Sequence, residues 1–549
     1  MNAQLENRDY PAPLYLEGFT AFPAEFADRY RKLGYWRGTT HSEMLFESIG
    51  RGPENIALIQ GDRRLTYAQL GSRVLRLAAG FSGLGISRGD RVVVHLPNCI
   101  EYFEVIFALF ELGAVPVFAL AAHRETEIRY FCEKSGAKAY VTVDEYEGYD
   151  HRKLADLMLE EVETVEHAIV VPAHPDPASD YESLFGDALA HARRCHPSDV
   201  AFLQLSGGTT GKPKLIPRTH DDYLYTIRES ARICDLRRSS VHLVVLPVSH
   251  NYTMSSPGVL GCLHVGATIV LADNGSPDIA FPLIEKHAVT SASLVPTIAL
   301  MWMNSSIKER HDLSSLELVQ VGGAKLSREA ALRVGPELGC RLQQVFGMAE
   351  GLVNYTRLDD DEETIASTQG LRISPDDEVA IVDELGRVLP TGEAGHLLTR
   401  GPYTIRGYYD APDGNAASFT EEGFYRTGDI AFEDERGYLV VTGRAKDQIN
   451  RGGEKISPEE IENLLLSHPL IHDASVVGVP DEALGEKVKA FVMVREGADV
   501  RSLSAFKLKR FLRGKGIAEF KIPEAYELVE EFPETKVGKV SKRDQREDS

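Results

Sequence analysis

Short apolar runs alternate with longer segments of helical pattern along most of the first 400 residues. The runs at 91–96, 115–119 and 200–205 are short and mostly apolar, and most of the predicted strands are continuous and rich in β-branched residues, which is typical of strands buried on both faces of a parallel sheet. A mostly apolar segment of helical length, roughly 101–112, separates the first two runs and predicts a βαβ unit. Similar strands are predicted at 139–143, 242–247, 268–272, 291–295 and 316–321. The pattern therefore predicts an α/β fold whose large N-terminal domain consists of helix-covered sheets.

The pattern changes toward residue 400. The segments 379–382, 396–399 and 438–442 have the composition of strands separated by turns, which predicts a small part resembling a β-barrel or antiparallel sheet. The residues that follow predict a small, mobile α+β domain. We therefore divide the chain into a large N-terminal domain, 1–445, and a C-terminal lid domain, 446–549.

A helix start is readable within this C-terminal part. Ser457 stands at an N-cap position, Pro458 fits the first turn, and Glu460 is placed to close a capping box. Apolar residues continue the helix at Ile461, Leu464 and Leu465. Further elements are predicted as strands at 474–479 and 488–494 and as a helix at 503–512.

Length and charge limit the class of function. A chain of 549 residues exceeds the roughly 250–300 at which a single core stops growing, so at least two domains are expected. The formal net charge of −22 argues against a nucleic-acid binder that uses a general basic surface. The N-terminus lacks the apolar stretch of a signal peptide, and the longest apolar segment, 103–120, is interrupted by charges, glycine and proline. We therefore expect no membrane partner.

The positions of the cysteines bear on the cellular location of the protein. None of the six forms a CxxC pair, and no histidine cluster lies near them at zinc spacing. Most stand in apolar surroundings, so we expect reduced core residues in a cytoplasmic protein. The positions are Cys99, Cys132, Cys195, Cys234, Cys262 and Cys340.

The sharpest chemical signal is the segment 205–214, where glycines, hydroxyls and lysines follow a predicted strand. Glycine lets backbone N–H groups turn toward an anion, and the polar side chains add donors, so this segment predicts a phosphate-binding loop. A flexible linker is the alternative. The segment is not a Walker A motif, because Ser206 stands in place of its first glycine and Pro213 in place of its magnesium-binding hydroxyl. A P-loop ATPase is therefore disfavoured.

The loop resembles the signature of the adenylate-forming superfamily, which contains acyl-CoA synthetases, peptide-synthetase adenylation domains and firefly luciferase. Further motifs of that superfamily follow in order at 321–325, 345–350, 425–429, 443–447 and 533–539. Longer strings resemble the aryl-acid-activating ligases of siderophore synthesis, at 203–208, 216–223, 250–252, 343–356 and 446–455. The chain departs from the superfamily pattern at Ala349 (usually Thr), Phe346 (usually Tyr) and Lys446 (often Asp).

The resemblance implies ATP and Mg²⁺ as cofactors and adenylation of a carboxylate as the reaction. It assigns catalysis to Lys539, Glu350 and His250, with Glu350 as the metal ligand. Asp429 would accept the ribose hydroxyls and Arg444 would donate to the ribose, while Lys446 would be the hinge. The implied nucleotide-binding set is Ser206, Gly207, Gly208, Thr209, Thr210, Gly211, Lys214, Gly323, Ala324, Val345, Gly347, Met348, Ala349, Asp429, Arg444 and Lys539.

A pocket for the acid is implied by the same resemblance. Tyr252 would offer an aromatic face to a ring. Asn251 and Ser256 would bond ring hydroxyls, and a buried polar group penalises an analogue that lacks its partner, so 2,3-dihydroxybenzoate is favoured over salicylate. Ser256 could instead satisfy its own backbone. The implied pocket comprises Asn251, Tyr252, Ser256, Gly323, Val345 and Val353.

The family's second step transfers the acyl group to a thiol. In siderophore ligases the acceptor is the phosphopantetheine of an aryl carrier protein, and this sequence has no carrier attachment site of its own, so the carrier is expected on a separate chain. Two alternatives stay open at this point: an aryl-CoA ligase with the same motifs, and an inactive scaffold that only binds nucleotide.

Overall fold

The computed structural model describes residues 10–174, 176–206, 213–451, 454–481, 484–495, 497, 503–533 and 540–547. Its strands are β1 (Ile56–Gln60), β2 (Arg63–Thr66), β3 (Arg91–His95), β4 (Val115–Phe118), β5 (Ala139–Val143), β6 (Glu145–Tyr146), β7 (Tyr149–Asp150), β8 (His167–Val171), β9 (Val200–Leu205), β10 (Leu215–Thr219), β11 (Val241–Val244), β12 (Thr268–Leu271), β13 (Ser291–Leu294), β14 (Leu318–Val321), β15 (Arg341–Met348), β16 (Gly351–Tyr355), β17 (Leu371–Arg372), β18 (Glu378–Val382), β19 (Gly395–Arg400), β20 (Tyr425–Glu433), β21 (Leu439–Arg444), β22 (Ile449–Arg451), β23 (Glu454–Ile456), β24 (Ile471–Asp481), β25 (Gly485–Val494) and β26 (Ala525–Val529).

Its α-helices are α1 (Ala24–Lys32), α2 (His41–Arg51), α3 (Tyr67–Gly83), α4 (Ile100–Leu112), α5 (Glu125–Ser135), α6 (His151–Glu161), α7 (Asp180–Ser183), α8 (His220–Ile233), α9 (Asn251–Ser255), α10 (Gly258–Val265), α11 (Pro277–His287), α12 (Pro296–Asn304), α13 (Arg328–Leu338), α14 (Glu362–Ser367), α15 (Pro412–Ser418), α16 (Pro458–Leu466), α17 (Ala505–Gly514) and α18 (Lys542–Glu547). Within the described residues, every helix is too short or too polar to cross a lipid bilayer.

One mixed sheet has the strand order β17-β16-β15-β14-β13-β11-β12-β1-β2. The strands from β15 to β1 run parallel, and antiparallel strands close both ends of the sheet. The residues that follow β11, β14 and β15 therefore leave the sheet at one edge, the carboxyl edge, where open α/β sheets bind ligands. Two of the predicted motifs, 321–325 and 345–350, lie at this edge.

A second sheet, in the order β10-β9-β4-β3-β5-β8, contains the predicted βαβ unit. Strands β3 and β4 pair in parallel on either side of α4, which confirms that prediction. Every residue of α4 is buried, including three glutamates. These carboxylates are tolerated because arginines pair with them, as Arg63 does with Glu101 at 2.5 Å and Arg73 does with Glu104.

The segment after the large sheets forms an antiparallel sheet in the order β18-β19-β20-β21. The prediction of a small antiparallel part is confirmed, with strands one or a few residues from the predicted bounds. Its apolar face packs around Leu352 from β16 and so attaches this sheet to the carboxyl edge of the large one. Together these sheets and their covering helices give the α/β fold that the sequence predicts.

The C-terminal part has the predicted α+β composition, with strand order β23-β22-β25-β24 and β26 parallel to β25. Ser457 is the N-cap of α16, but the predicted capping box is wrong. The Ser457 hydroxyl donates to the carbonyl of Thr442 at 2.6 Å, and the Glu460 carboxylate accepts from Lys521 at 2.7 Å. Tertiary partners have replaced the local ones for both side chains.

All six cysteines are free and buried, which confirms that they are core residues. Burial raises the pKa of the Cys132 and Cys340 thiols to about 12. The same cause raises the pKa of the other thiols, Cys99, Cys195, Cys234 and Cys262.

Candidate functional site

The ends of the glycine-rich segment are held together by the β9–β10 hairpin, in which Leu205 pairs with Leu215. The Ser206 amide donates to the Lys214 carbonyl at 2.9 Å, and the Lys214 amide donates to the Ser206 hydroxyl at 2.9 Å. The Lys214 ammonium donates to Ser418 at 3.1 Å and lies 4.3 Å from the centroid of the Tyr408 ring. The predicted phosphate-binding residues between these ends, Gly207, Gly208, Thr209, Thr210 and Gly211, lie outside the described residues.

Glu350 lies at the turn between β15 and β16, with 7% of its surface exposed. The Tyr408 hydroxyl donates to Glu350 Oε1 at 2.8 Å and lies 3.1 Å from the Tyr425 hydroxyl. Burial, and next the negative charge of Glu350, raise the pKa of Tyr408, so this phenol stays protonated and keeps donating. One oxygen of a buried carboxylate is thus fixed by a phenol.

The backbone around Glu350 is tightly packed. The Glu350 carbonyl accepts from the Ile405 amide at 2.8 Å. Gly351 has φ of +143°, and a Cβ there would lie 2.5 Å from the Cα of Thr404. Only glycine fits this position, because both the backbone angle and the close approach of another chain segment exclude a side chain. The buried segment 403–405 therefore packs directly against the turn.

The β15–β16 hairpin also carries the predicted pocket and nucleotide residues on its two strands. Val345 pairs with Tyr355 and Gly347 pairs with Val353, while Met348 pairs with Gly351 beyond a bulge. Val345 and Val353 are buried. Ala349 and Met348 pack beside the Tyr408 and Tyr425 cluster. The hairpin brings these residues into one unit.

The Tyr252 ring meets the turn that follows β14. A Cβ at Gly322 would lie 3.0 Å from Tyr252 Cζ and 2.9 Å from the Val345 carbonyl oxygen, so the glycine lets the ring, the turn and β15 come together. Gly323, with φ of +79°, and Ala324 continue this turn. Three residues of the predicted acid pocket, Tyr252, Gly323 and Val345, therefore lie close together.

The remaining predicted pocket residues lie on or beside α9. His250 is the N-cap of α9, and its Nδ1 accepts from the Tyr252 amide at 3.2 Å. The Asn251 Oδ1 accepts from the Tyr223 hydroxyl at 2.9 Å. Ser256 follows the helix and is 3% exposed. In this structure His250 orders the helix start, and its predicted catalytic role stays a prediction.

Asp429 and Arg444 face each other across β20 and β21. Arg444 Nε lies 2.7 Å from Asp429 Oδ1, with 5% of the aspartate side chain and 51% of the arginine side chain exposed. The Asp429 amide donates to Thr427 Oγ1 at 3.0 Å, which fixes the turn that presents the carboxylate. The two predicted ribose residues thus form one ion pair at the edge of a buried strand.

Lys446 follows directly in a short 3₁₀ helix, Ala445–Asp447. Burial lowers the pKa of its ammonium, which the neighbouring Asp447 partly opposes. Lys325, from the N-terminal side of Lys446, donates to the Val441 carbonyl at 2.6 Å. Its ammonium also lies 3.6 Å from Glu459 of α16, on the C-terminal side. Polar contacts therefore join the segments on either side of Lys446. The predicted catalytic Lys539 lies outside the described residues.

The single carboxylate of Glu350 suits a metal ion that takes most of its ligands from a bound substrate. Among the described residues, no group of three or more His, Cys, Asp or Glu side chains could hold a metal ion. Mg²⁺ commonly binds through one or two carboxylates, substrate phosphates and water, and Glu350 supplies one such carboxylate. The Glu350 carboxylate is therefore compatible with a Mg²⁺ ion whose further ligands would come from substrate phosphates and water.

Sequence reasoning missed three residues that organise this site: Tyr408, Tyr425 and Arg218. Tyr408 lies in no pattern that distinguishes a site residue from a core residue, whereas Tyr425 opens the motif 425–429 but was assigned no role. Arg218 stands in the string 216–223, where an arginine between apolar strand residues was a signal of a buried charge.

Comparisons with known proteins agree with this geometry. A family model described as AMP-binding enzyme matches residues 45–409, and one described as AMP-binding enzyme C-terminal domain matches residues 460–539. The 2,3-dihydroxybenzoate-AMP ligase of Bacillus subtilis (strain 168) is 54% identical over 532 residues, which cover 97% of this chain and 98% of that protein.

Two further relatives match over a similar share of the chain. The vibriobactin-specific 2,3-dihydroxybenzoate-AMP ligase of Vibrio cholerae is 47% identical, covering 95% of this chain and 96% of that protein. The apo structure of MbtA from Mycobacterium smegmatis is 43% identical, covers 96% of this chain and 98% of its own, and superposes with a TM-score of 0.74. Both matches span nearly the full length of the chain, and the larger family model matches more than half of it. The chain therefore belongs to the AMP-binding enzyme family.

Proposed function

We propose that this protein is an ATP-dependent ligase that adenylates 2,3-dihydroxybenzoate, with Mg²⁺ as the metal, and passes the acyl group to an aryl carrier protein. The observation that carries the proposal is the β15–β16 hairpin, which holds the pocket residues Val345 and Val353 on its strands and Glu350 at its turn. An acid seated against the strands would present its carboxylate near phosphates held at the turn. Two relatives that cover nearly all of the chain are named as ligases for this acid.

The first half-reaction forms a bond between a carboxylate oxygen of the acid and the α-phosphorus of ATP. The bond from that phosphorus to the bridging oxygen breaks, and pyrophosphate leaves with the electron pair. Catalysis of this kind depends on positioning and on stabilising developing negative charge. Bound Mg²⁺ would supply charge neutralisation on the phosphates.

The chain's own residues would supply the rest. Asp429 would accept both ribose hydroxyls, because a carboxylate offers several lone pairs, and Arg444 would reach the ribose from its exposed side. Glu350 would hold the metal through the oxygen that Tyr408 leaves available. Lys539 would donate to the oxygens shared by the acid and the α-phosphate.

The second half-reaction would transfer the aryl group to the phosphopantetheine thiol of a carrier on a separate chain, with loss of AMP. We propose that domain 446–549 rotates about Lys446 between the two steps, so that Lys539 serves adenylation and then leaves the site. Two polar contacts join the domains near Lys446, from the Ser457 hydroxyl to the Thr442 carbonyl and between Lys325 and Glu459, and contacts of this kind suit a joint that opens and closes.

The test is ATP–pyrophosphate exchange with 2,3-dihydroxybenzoate, salicylate, benzoate and a fatty acid compared side by side. Exchange that is fastest with 2,3-dihydroxybenzoate supports the proposal. Exchange only with benzoate or the fatty acid would keep the chemistry and overturn the substrate, and no exchange with any acid would favour an inactive scaffold. Supplying a phosphopantetheine-loaded aryl carrier or free coenzyme A as acceptor then separates the carrier ligase from an aryl-CoA ligase.

A further inference from the structure

Arg218 is a charged residue buried inside the protein, with 2% exposure, at the end of β10. Its guanidinium pairs with Asp222 at 2.7 Å and lies 4.7 Å from the centroid of the Tyr223 ring. Asp222 is itself held by the Thr219 amide and hydroxyl, each at 2.8 Å. A buried ion pair is weak evidence for stability, because desolvation offsets much of its attraction. The remaining guanidinium contacts therefore need an explanation.

Those contacts go to both sides of the Glu350 turn. Arg218 Nη1 donates to the Ala349 carbonyl at 2.8 Å, and Nη2 donates to the Tyr403 carbonyl at 3.1 Å. Ala349 directly precedes Glu350, and Tyr403 begins the segment 403–405 that packs against the turn. The Arg218 guanidinium thus joins the turn and this segment to Asp222 on helix α8.

We propose that Arg218 is a positioning residue for the adenylation step, which sets the backbone of Glu350 while Tyr408 sets its side chain. This inference rests on the proposed function, since it assumes that Glu350 holds a metal ion on ATP. A guanidinium donates in several fixed directions within one plane, so it can hold a carboxylate and two carbonyls at once. A lysine ammonium keeps the charge but cannot keep this geometry.

Replacing Arg218 removes the guanidinium donor from the Ala349 and Tyr403 carbonyls, and the turn can then shift. A misplacement of about 1 Å at a catalytic group lowers the rate by about 100-fold. The expected defect concerns the metal and ATP rather than the acid, because Tyr252 and Val345 are held by other contacts. Arg218→Lys also keeps a cation beside the ring of Tyr223, whose hydroxyl donates to Asn251 of the predicted acid pocket. A split between these two substrates therefore distinguishes positioning from general destabilisation.

The experiment compares Arg218→Lys with Arg228→Lys in two measurements. Isothermal titration calorimetry measures MgATP binding without turnover, which should weaken in Arg218→Lys and stay near the parent in Arg228→Lys. ATP–pyrophosphate exchange is then followed while Mg²⁺ is titrated at saturating acid and while the acid is titrated at saturating Mg²⁺ and ATP. Arg228 is a matched control, a mostly buried arginine on α8 that donates to the Tyr35 carbonyl at 2.8 Å. For Arg218→Lys we expect kcat to fall by about 10- to 100-fold and the half-saturating Mg²⁺ concentration to rise, with the acid KM within about threefold of the parent. Arg228→Lys should leave all three values near the parent.

Asp222→Asn is the second variant, because it weakens the anchor of Arg218 while leaving an acceptor oxygen. Asp222→Asn should raise the half-saturating Mg²⁺ concentration by a smaller factor than Arg218→Lys does. If thermal unfolding shows that Arg218→Lys does not fold, the result for Asp222→Asn alone tests the inference. An unchanged Mg²⁺ requirement in the folded variants, or an equal rise in the acid KM, would overturn the inference. If the parent protein itself shows no exchange, the proposed function fails instead.

Discussion

The substitution Asp429→Asn should weaken ATP binding through the ribose alone. The Asp429 carboxylate is 5% exposed, with Arg444 on Oδ1 at 2.7 Å. An aspartate in this position can accept from both ribose hydroxyls, whereas an asparagine of the same shape keeps one acceptor oxygen and turns an NH₂ group toward the other hydroxyl. The change therefore removes about one charged hydrogen bond and leaves the fold of the β20–β21 hairpin intact.

A hydrogen bond to a charged group contributes about 1.5–3 kcal/mol. Because each 1.4 kcal/mol corresponds to a factor of ten, the KM for ATP should rise by about 10- to 150-fold. Arg444 loses its partner in the same change, but its side chain is 51% exposed and water can solvate it. The estimate therefore refers mainly to the ribose contact.

The assay is a cycle of two proteins and two nucleotides in pyrophosphate exchange, with ATP and 2′-deoxy-ATP. The parent should lose affinity for the deoxy nucleotide, and Asp429→Asn should lose little more, since the partner of the missing hydroxyl is already gone. Asp434→Asn serves as the control, because Asp434 also pairs with an arginine, Arg436 at 2.8 Å, in the turn that joins the same two strands at their far end.

Independent changes add within about 0.5 kcal/mol. If the two losses of ATP affinity add in this way, Asp429 does not contact the ribose and the assignment is refuted. The same conclusion follows if Asp434→Asn raises the KM as much as Asp429→Asn does.

Three further predictions concern the walls of the site. Tyr408→Phe removes the donor to Glu350 but keeps the ring beside Lys214, so the half-saturating Mg²⁺ concentration in exchange should rise by about tenfold, and an unchanged value would contradict the role of the phenol. Ser256→Cys should narrow the preference for 2,3-dihydroxybenzoate over salicylate in kcat/KM, and an unaltered ratio would mean that Ser256 contacts only protein. Asp377 accepts a hydrogen bond from the hydroxyl of Tyr403, in the segment 403–405, and burial raises the pKa of Asp377 to about 7. Its favourable contribution to the free energy of unfolding, complete below pH 3.8, is therefore lost as the pH rises through 7, and urea titrations should show this loss in the parent and not in Asp377→Asn.

The sequence predicted the strands best where burial is complete on both faces. The run at 139–143 and the run at 200–205 coincide with β5 and β9, because a short, mostly apolar run that is buried on both faces of a sheet has few alternative structures. The helix start at Ser457 was also predicted, but its capping box was not formed. A local motif failed there because the hydroxyl found a carbonyl on β21 that no local pattern reveals.

The site was predictable where its residues fall in contiguous motifs. Asp429 and Arg444 stand in two such motifs, and their pairing across adjacent strands brings them together. Arg218 and Tyr408 act through contacts that are distant in sequence, 131 residues to Ala349 and 58 residues to Glu350. Only the packing of the second sheet against the hairpin of the first defines these partners, so a single sequence carries no periodic signal for them.

The burial of all six cysteines bears on the fate of the reaction's intermediate. An acyl adenylate is a mixed anhydride that acylates nearby nucleophiles, and thiolates are among the fastest of them. The raised pKa of every cysteine thiol keeps these groups protonated, and their burial keeps them out of contact with the activated acid. The protein's own cysteines are therefore poor acceptors for such an anhydride, and under the proposed function the accepting thiol would come from another molecule.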